Sequence, residues 1–200
     1  SKVKVVDSNL IEPDYMNKFS FLEHSENVAI ALEVCKNVGV SEKTALLGML
    51  KTNPDPGALV IWNLNFTNKS HNFVNAFAAN DPKSTLQIWH MLKNRIIEKS
   101  TCIFLNTRSD RRYRTNQLIN LVFNDIKPDL FIVRGNDLPK ELKQLQSQNH
   151  QIKLKIFSEQ DSNQKLFEYF SNIDSHFIMG IGNIVGWGEK FISELKEFKI

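Results

Sequence analysis

The spacing of hydrophobic residues changes near residue 57. Before that point apolar residues recur at helical intervals as far as Gly39, in the order Val28, Ala29, Leu32 and Val34. Glycine is favoured directly after a helix because it adopts positive φ without steric cost. The pattern therefore predicts one helix from about residue 26 to residue 39, and a second that starts at Ser41 and runs to about residue 51.

Short apolar runs replace the helical spacing after the segment 53–57, which contains two prolines and a glycine. The runs have the length of strands and occur at 58–64, 73–78, 101–106, 129–135, 152–157 and 176–182. From the second run onward each is followed by a helix-length segment, at about 83–98, 111–124, 138–148, 162–172 and 188–198. This alternation is typical of βαβ units in a parallel sheet. No helix separates the first two runs, so the first strand is expected to be antiparallel and at an edge.

These patterns predict an α/β fold. We expect a Rossmann-like, mostly parallel six-stranded sheet with helices on both faces, preceded by a small helical segment. The proline-rich segment predicts a linker, which divides the chain into residues 1–56 and residues 57–200. Because the chain begins at Ser1 without a methionine, we also expect it to be part of a longer protein.

Composition narrows the class of protein. The chain is 42% hydrophobic and 24% charged, which is ordinary for a globular protein with a core. A net charge of +3 is too small to predict a nucleic-acid or membrane-surface partner. No segment approaches the roughly 20 consecutive apolar residues of a membrane-spanning helix. Cys35 and Cys102 have apolar neighbours, which favours free thiols and a reducing compartment.

Ligands of doubly wound sheets bind at the carboxyl ends of the strands, where loops converge and helix N-termini point inward. We therefore expect the turns at 77–82, 106–114 and 180–186 to lie along one rim of the sheet and to form the site.

The first of these turns contains Asn80, Asp81 and Pro82. Asp81 is suited to cap the next helix, with Pro82 at its first position. Capping does not explain Asn80, and Ala78 and Ala79 leave room for a ligand near the backbone. From these residues alone, a plain strand-to-helix turn and a ligand site are equally open.

The second turn carries four arginines in seven residues, which are Arg108, Arg111, Arg112 and Arg114. Guanidinium groups bind carboxylates and phosphates through paired hydrogen bonds, so the segment indicates an anion site for a nucleotide or an acidic substrate. The alternative is a solvated first helical turn, although positive charge there opposes the helix dipole. Nucleic-acid binding would need further basic and aromatic clusters, which the sequence lacks.

The third turn, GIGNIVG, has the spacing G-x-G-x-x-x-G, which is weak as a dinucleotide motif. Gly180, Gly182 and Asn183 are candidates for the edge of a site, and a tight turn is the alternative. The histidines show no metal-ligand spacing and no nucleophile elbow is present, so we predict neither catalytic residues nor a metal site in this chain. No G-x-x-x-x-G-K-[ST] motif occurs, so any phosphate loop is expected outside it.

Several segments together resemble one family. They are FSFLEHSENVAIALEVCKNVGV, KTNPDPGAL, VNAFAANDPKST, RSDRRYRTNQ and MGIGNIVGWGE. They look like the ligase subunit of poly-γ-glutamate synthase, a capsule-forming member of the Mur ligase superfamily. The similarity spans essentially the whole chain, and NAFAANDPKST is its most specific part. It implies that residues 1–56 end the central ATPase domain and that residues 57–200 form the C-terminal α/β domain.

The resemblance also implies roles for single residues. Asn27 occupies the place of an asparagine that contacts adenine in Mur ligases. Their strand-end motif Asp-Tyr-Ala-His-Asn-Pro contacts the nucleotide, and here Asn80 matches its asparagine while Ala79 replaces its histidine and Asp81 is inserted. Asn183 stands where their Gly-Lys-Gly-His stretch has a histidine. Many Mur ligases have Gly-Arg at the linker, whereas this chain has Gly-Ala, so the arginine contact is either absent or made from the segment 108–114.

The implied function is ATP-dependent amide ligation that polymerises glutamate through γ-linkages by way of an acyl phosphate. ATP and Mg²⁺ are the implied cofactors, held mainly by the rest of the protein, and this chain alone is expected to be inactive. Asn80 and Asp81 are implied at the nucleotide, and the substrate residues are Arg108, Asp110, Arg111 and Arg114. Implied partners are glutamate, the polyglutamate chain and a membrane-embedded subunit, which gives a cytoplasmic location at the inner face of the membrane. The alternatives are a non-enzymatic nucleotide-binding or adaptor module and, more weakly, a nucleotide-sugar or dinucleotide enzyme.

Overall fold

The computed structural model describes residues 3–16, 18–19, 21, 23–52, 59–67, 69–77, 79–93, 99–136 and 138–200. The chain divides into two compact units, Ser1–Val60 and Ile61–Ile200. The predicted linker at 53–57 lies outside the described residues.

The first unit is helical. Its helices are α1 (Pro13–Met16), α2 (Ser25–Asn37) and α3 (Glu42–Met49), with a 3₁₀ turn at Ser8–Leu10. Gly39 follows α2 with φ +84°, and the N–H groups of Gly39 and Val40 donate to the carbonyls of Lys36 and Cys35. This Schellman motif explains why the helix ends where the glycine predicts. Ser41 caps α3 by accepting from the backbone N–H of Thr44 at 3.2 Å.

The second unit contains the predicted six-stranded sheet. Its strands are β1 (Ile61–Phe66), β2 (Lys69–Asn75), β3 (Ser100–Asn106), β4 (Leu130–Arg134), β5 (Lys153–Phe157) and β6 (His176–Gly182). The strand order is β1-β2-β6-β3-β4-β5. β1 is antiparallel to β2 at one edge, and the other pairs are parallel, so the predicted fold class is confirmed.

Helices connect the parallel strands. They are α4 (Pro82–Lys93), α5 (Arg112–Leu121), α6 (Glu141–Gln148) and α7 (Asn163–Asn172), and α8 (Trp187–Leu195) follows the last strand. A 3₁₀ turn at Ser109–Arg111 precedes α5, a π-helical turn at Val122–Ile126 extends it, and a 3₁₀ turn at Lys196–Phe198 follows α8. The helix predicted at 83–98 is α4 as far as Lys93, and residues 94–98 lie outside the described part of the chain.

The core has a layer of side chains on each face of the sheet. On one face Phe104 of β3 contacts Phe191 of α8, with ring centroids 5.2 Å apart. On the other face Phe131 of β4 contacts Phe123 in the π-helical turn, at 5.6 Å. Alternate residues of a strand point to opposite faces, so one strand contributes to both layers. Cys102 is buried on β3, where burial raises the pKa of its thiol, and both cysteines are free as predicted.

Both strands of the first hairpin are shifted relative to the predicted apolar runs. β1 starts and ends later than the run 58–64, and β2 starts and ends earlier than the run 73–78. In β1 only Trp62, Leu64 and Phe66 are buried, and Asn63 and Asn65 between them are exposed. An edge strand with one solvated face accepts such polar residues, which a search for apolar runs leaves out. Beyond β2, Ala76 leaves the strand pattern and its N–H donates to the carbonyl of Gly180 at 2.9 Å.

Candidate functional site

The three turns predicted to form the site follow three adjacent strands. β6 lies between β2 and β3, and all three run parallel. Asn75 of β2 is in register with Gly180, and Asn106 of β3 is in register with Gly182. Because parallel strands end at the same edge of a sheet, the turns meet at one rim.

A cavity of about 170 Å³, here called the rim cavity, opens between these turns. Six of the predicted residues line it, namely Asn80, Arg108, Arg111, Arg114, Gly182 and Asn183. Leu105, Asn106, Thr107, Thr115, Leu118, Ile184 and Val185 complete its lining. The walls thus combine guanidinium groups, carboxamides and hydroxyls, and they contain no carboxylate among the described residues, so the cavity is suited to an anionic or polar ligand.

A second cavity of about 330 Å³, here called the side cavity, lies on the other side of the turn after β3. It is lined by Thr107, Arg108, Ser109, Arg112, Thr115, Asn116, Asn136, Leu138, Pro139 and Lys140. The turn therefore divides the arginine cluster. Arg111 and Arg114 line the rim cavity, Arg112 lines the side cavity, and Arg108 lines both.

Asp110, predicted to bind substrate, contacts arginines of its own segment. Arg108 donates to its carboxylate twice, from Nε at 2.9 Å and from Nη2 at 2.7 Å. Arg111 Nε lies 3.7 Å from Asp110 Oδ2. The hydrogen bonds from Arg108 lower the pKa of the Asp110 carboxyl. Since these side chains are partly exposed, the pair adds little stability, but it orients the Arg108 guanidinium.

Asp81 is a helix cap and does not line the rim cavity. Its carboxylate accepts from the backbone N–H of Ser84 at 3.0 Å, directly before α4. Hydrogen bonds from Ser84 lower the pKa of the Asp81 carboxyl, and the charge of Arg114 adds to this. Asp81 therefore caps the helix and attracts Arg114, while the neighbouring Asn80 lines the cavity.

Gly180 and Gly182 of the third turn are glycines for different structural reasons. Gly180 lies within β6, where an added Cβ would be 2.9 Å from the rings of Phe73 and Phe77. Its packing requires glycine, and it does not line the rim cavity, so the structure does not place it at the site edge. Gly182 does line the cavity and has φ +95°, and an added Cβ would lie 2.4 Å from the carbonyl oxygen of Asn106.

Asn27 belongs to the first unit, and its position is described within that unit alone. It is exposed on α2, and its Nδ2 donates to Glu23 Oε1 at 2.8 Å. The role implied for it at adenine stays a prediction.

The predictions from sequence missed a buried polar group at the rim, which lines a further cavity of about 570 Å³ with Asn106, Arg108 and Asn183. Arg134, at the end of β4, is 4% exposed, and its Nη1 donates to Asn106 Oδ1 at 3.2 Å. Its guanidinium carbon lies 3.8 Å from the centre of a Trp187 ring. Burial lowers the pKa of Arg134, but a guanidinium remains charged at any working pH. The signal in the sequence was a lone arginine that closes the apolar run LFIVR.

Neither a metal site nor a membrane span is found within the described ranges. No three or more His, Cys, Asp or Glu residues there form a group that could hold a metal ion. No helix among the same residues has the length and apolar character needed to cross a membrane.

Solved structures share the fold at low sequence identity. A UDP-N-acetylmuramoylalanyl-D-glutamyl-2,6-diaminopimelate–D-alanyl-D-alanyl ligase from Acinetobacter baumannii matches 86% of this chain and 36% of its own, with a TM-score of 0.57 and 15% identity. A murein peptide ligase from Psychrobacter arcticus matches 90% of this chain and 38% of its own, with a TM-score of 0.52 and 14% identity. At such identities the likeness concerns the fold.

Curated relatives are more similar in sequence. The PGA synthase CapB of Bacillus subtilis (strain 168) is 33% identical over 202 residues, which cover 100% of this chain and 51% of that protein. The capsule biosynthesis protein CapB of Bacillus anthracis is 32% identical over 206 residues, which cover 100% and 44%. The chain thus spans about half the length of the curated relatives it matches.

A family model matches most of the second unit. The model describes the C-terminal domain of poly-gamma-glutamate synthase CapB, and the match extends over residues 61–198. Together with the relatives, this match shows that the chain belongs to the family of the poly-gamma-glutamate synthase CapB C-terminal domain.

Proposed function

We propose that this chain is the C-terminal part of an ATP-dependent amide ligase that polymerises glutamate through γ-linkages. The observation that carries the proposal is the grouping of Asn80, Arg111, Arg114 and Asn183 around the rim cavity of a chain from this family. These residues come from three separate turns, so they meet only because of the sheet order.

The donor set of the two cavities supports anionic ligands. Guanidinium groups and carboxamides form charge-assisted hydrogen bonds with phosphate and carboxylate oxygens. Lys140 adds a further cation to the wall of the side cavity. We assign the part of the rim cavity beside Asn80 to the nucleotide, with Asn80 as a hydrogen-bonding partner. Arg108, Arg111 and Arg114 then hold the carboxylates of glutamate or of the polymer.

In the proposed reaction, the terminal carboxylate of the growing chain takes the γ-phosphoryl group of ATP, and ADP leaves. The amine of the incoming glutamate then attacks the acyl carbon, phosphate departs, and the nitrogen loses a proton. The residues of this chain bind and orient the two acidic reactants. Such positioning is effective because it removes the entropy of bringing them together in the right geometry.

The nucleotide and its metal ion would be held mainly by the rest of the protein. The lining of the rim cavity fits an anionic phosphate, whereas the described residues contain no cluster suited to Mg²⁺. We therefore place the phosphate-binding loop and the Mg²⁺ ligands in the part of the relatives that this chain does not cover. Asn27 of the first unit would contact adenine.

Partners follow from the same assignment. The second curated relative is named a capsule biosynthesis protein. We propose that the full-length protein works at the inner face of the membrane. A membrane-embedded partner subunit would hold it there.

Trapping of the activated carboxylate tests the proposed function. The full-length protein is incubated with ATP, Mg²⁺, glutamate and a short polyglutamate chain, and hydroxylamine is added to capture an acyl phosphate as its hydroxamate. We expect ADP release that depends on the acidic substrate, together with a hydroxamate. The chain of 200 residues on its own should give neither product. Nucleotide binding by the full-length protein without hydroxamate or polymer would instead indicate a binding module.

A further inference from the structure

We propose that Arg134 is a positioning residue for the rim cavity, which acts through Asn106 on the turn at Gly182 and Asn183. The residue does not line the rim cavity, but it lines an adjacent cavity of about 570 Å³ together with Asn106, Arg108 and Asn183. The effect on catalysis rests on the proposed function. The coupling of Arg134 to Asn183 through the hydrogen bonds of Asn106 does not.

The guanidinium of Arg134 is held on several sides. Its Nη1 donates to Asn106 Oδ1 at 3.2 Å, and its Nη2 donates to the carbonyl of Glu159 at 2.6 Å. One face stacks on Trp187 at 3.8 Å. Contacts with β3, with the segment after β5 and with α8 therefore fix the guanidinium plane.

This contact favours the same orientation of the Asn106 carboxamide as the hydrogen bond from Asn106 to Asn183. A guanidinium only donates hydrogen bonds, so the atom of Asn106 that faces it must be the oxygen. The amide nitrogen is then directed at the carbonyl of Asn183, to which it donates at 2.7 Å. The N–H of Asn183 donates back to the carbonyl of Asn106 at 2.9 Å. Arg134 thus holds the Asn106 carboxamide in the orientation that ties the turn after β6 to the end of β3.

The turn held in this way faces the rim cavity. Gly182 and Asn183 both line it, and Gly182 has the positive φ that the turn requires. The Asn183 side chain does not reach back to the strand, because its Nδ2 donates to the carbonyl of Val185 at 2.8 Å. The backbone bonds to Asn106 are therefore the link between the turn and the sheet.

Stability alone does not account for an arginine here. Burying a charge is unfavourable unless it is paired, and among the described residues Arg134 has only the longer-range attraction of Glu159 and Asp161, which acts against the lowering of its pKa by burial. The Glu159 carboxylate accepts from Asn136 at 3.4 Å instead. Arg134 Nε is buried and has no hydrogen-bond partner. An apolar side chain of similar length would avoid these costs, but it could not orient Asn106.

Nuclear magnetic resonance of the chain of 200 residues tests the coupling directly. We expect the Arg134 Nε–H signal to be shifted upfield by the ring current of Trp187. Arg134→Met, which keeps the volume, should shift the Asn106 side-chain and Asn183 backbone amide signals. Hydrogen exchange at the Asn183 amide should become about tenfold faster, as expected when a buried hydrogen bond loses its support. An unchanged Asn183 amide in this variant would overturn the proposal.

The full-length enzyme then shows whether the coupling matters for the site. Arg134→Met and Asn106→Asp should each raise an apparent KM, for ATP or for glutamate, about tenfold, with kcat much less affected. Arg134→Lys should not restore the KM, because an ammonium lacks the planar fork. Restoration by lysine would show that charge alone acts and would contradict a positioning role. So would a normal KM in Arg134→Met.

A matched control separates positioning from general destabilisation. Phe123→Leu alters a buried residue in the π-helical turn, which precedes the opposite end of β4. It should lower thermal stability without moving the Asn183 amide or the KM values. If the wild-type enzyme shows no ligase activity, the proposed function fails, and the resonance and exchange measurements still decide whether Arg134 positions the turn.

Discussion

The side-chain amide of Asn106 donates a hydrogen bond of 2.7 Å to the backbone carbonyl of Asn183, across 77 residues of sequence. The bond joins the ends of β3 and β6, which are adjacent in the sheet although two strands and three helices separate them along the chain. It holds two of the three turns of the rim cavity in a defined relation. The chemistry of the site therefore depends on backbone geometry as much as on the side chains that face the ligand.

Asn80 is predicted to contribute to nucleotide binding. In the full-length enzyme, Asn80→Ala should raise the apparent KM for ATP by about two- to tenfold, which corresponds to one neutral hydrogen bond. The unfolding temperature should not change, because Asp81 still caps α4. Gln87→Ala, at an exposed position of the same helix, serves as the control. ATP kinetics that are equal in the two variants would remove Asn80 from the site.

The arginines of the rim cavity are predicted to bind the acidic substrate. Arg111→Ala and Arg114→Ala should each weaken the use of glutamate at least about tenfold, since a charge-assisted paired hydrogen bond is lost. The measurement is the initial rate as a function of glutamate concentration at saturating ATP. Lys143→Ala removes an exposed cation that lines neither cavity, and it should leave the glutamate dependence as it is. An unaltered glutamate dependence in both arginine variants would contradict the assignment.

His71 makes the fold sensitive to acid. The residue is 1% exposed, its Nε2 lies 2.8 Å from the carbonyl of Phe170, and its Nδ1 accepts from the backbone N–H of His176 at 3.1 Å. Only the neutral ring with its proton on Nε2 satisfies both contacts. Burial lowers the pKa of His71, and the charges of His176, Lys99 and Lys69 act in the same direction.

Because the folded-state pKa of His71 is lowered, the unfolded chain takes up the proton first as the pH falls. The contribution of His71 to stability is then complete above about pH 6.5 and decreases below it, by at most about 1.4 kcal/mol per pH unit until the folded pKa is reached. Urea unfolding between pH 7.5 and pH 5 measures this decrease. His71→Gln should flatten it, whereas His150→Gln, at an exposed position, should retain it. Equal slopes for wild type and His71→Gln would contradict the prediction.

The order of elements follows from local patterns in the sequence. Gly39 and Asp81 mark helix boundaries through their own backbone and side-chain preferences, and each acts on residues close to it in the chain. The apolar runs likewise predict each strand of the sheet, and the missing helix after the first run predicts its antiparallel edge. These features need no knowledge of the rest of the fold.

Contacts between distant segments were not predictable in this way. Asn106 and Asn183 are 77 residues apart, and nothing local in either segment predicts the hydrogen bond between them. Gly180 belongs to a glycine-rich turn that suggests the edge of a site, yet close packing against the rings of Phe73 and Phe77 explains why the residue is glycine. Arg134 carried no recognisable motif, because its partners Asn106, Glu159 and Trp187 come from three other segments.

The sequence by itself determined the α/β class, the edge hairpin, the caps and the family, since propensities, apolar periodicity and motifs are properties of short segments. Only the tertiary structure decided which turns share a cavity, how the arginines divide between two cavities, and which polar groups are already engaged. The physical reason is the crossover that places β6 between β2 and β3: it brings together hydrogen-bonding groups that are far apart in sequence, and no local preference encodes their pairing.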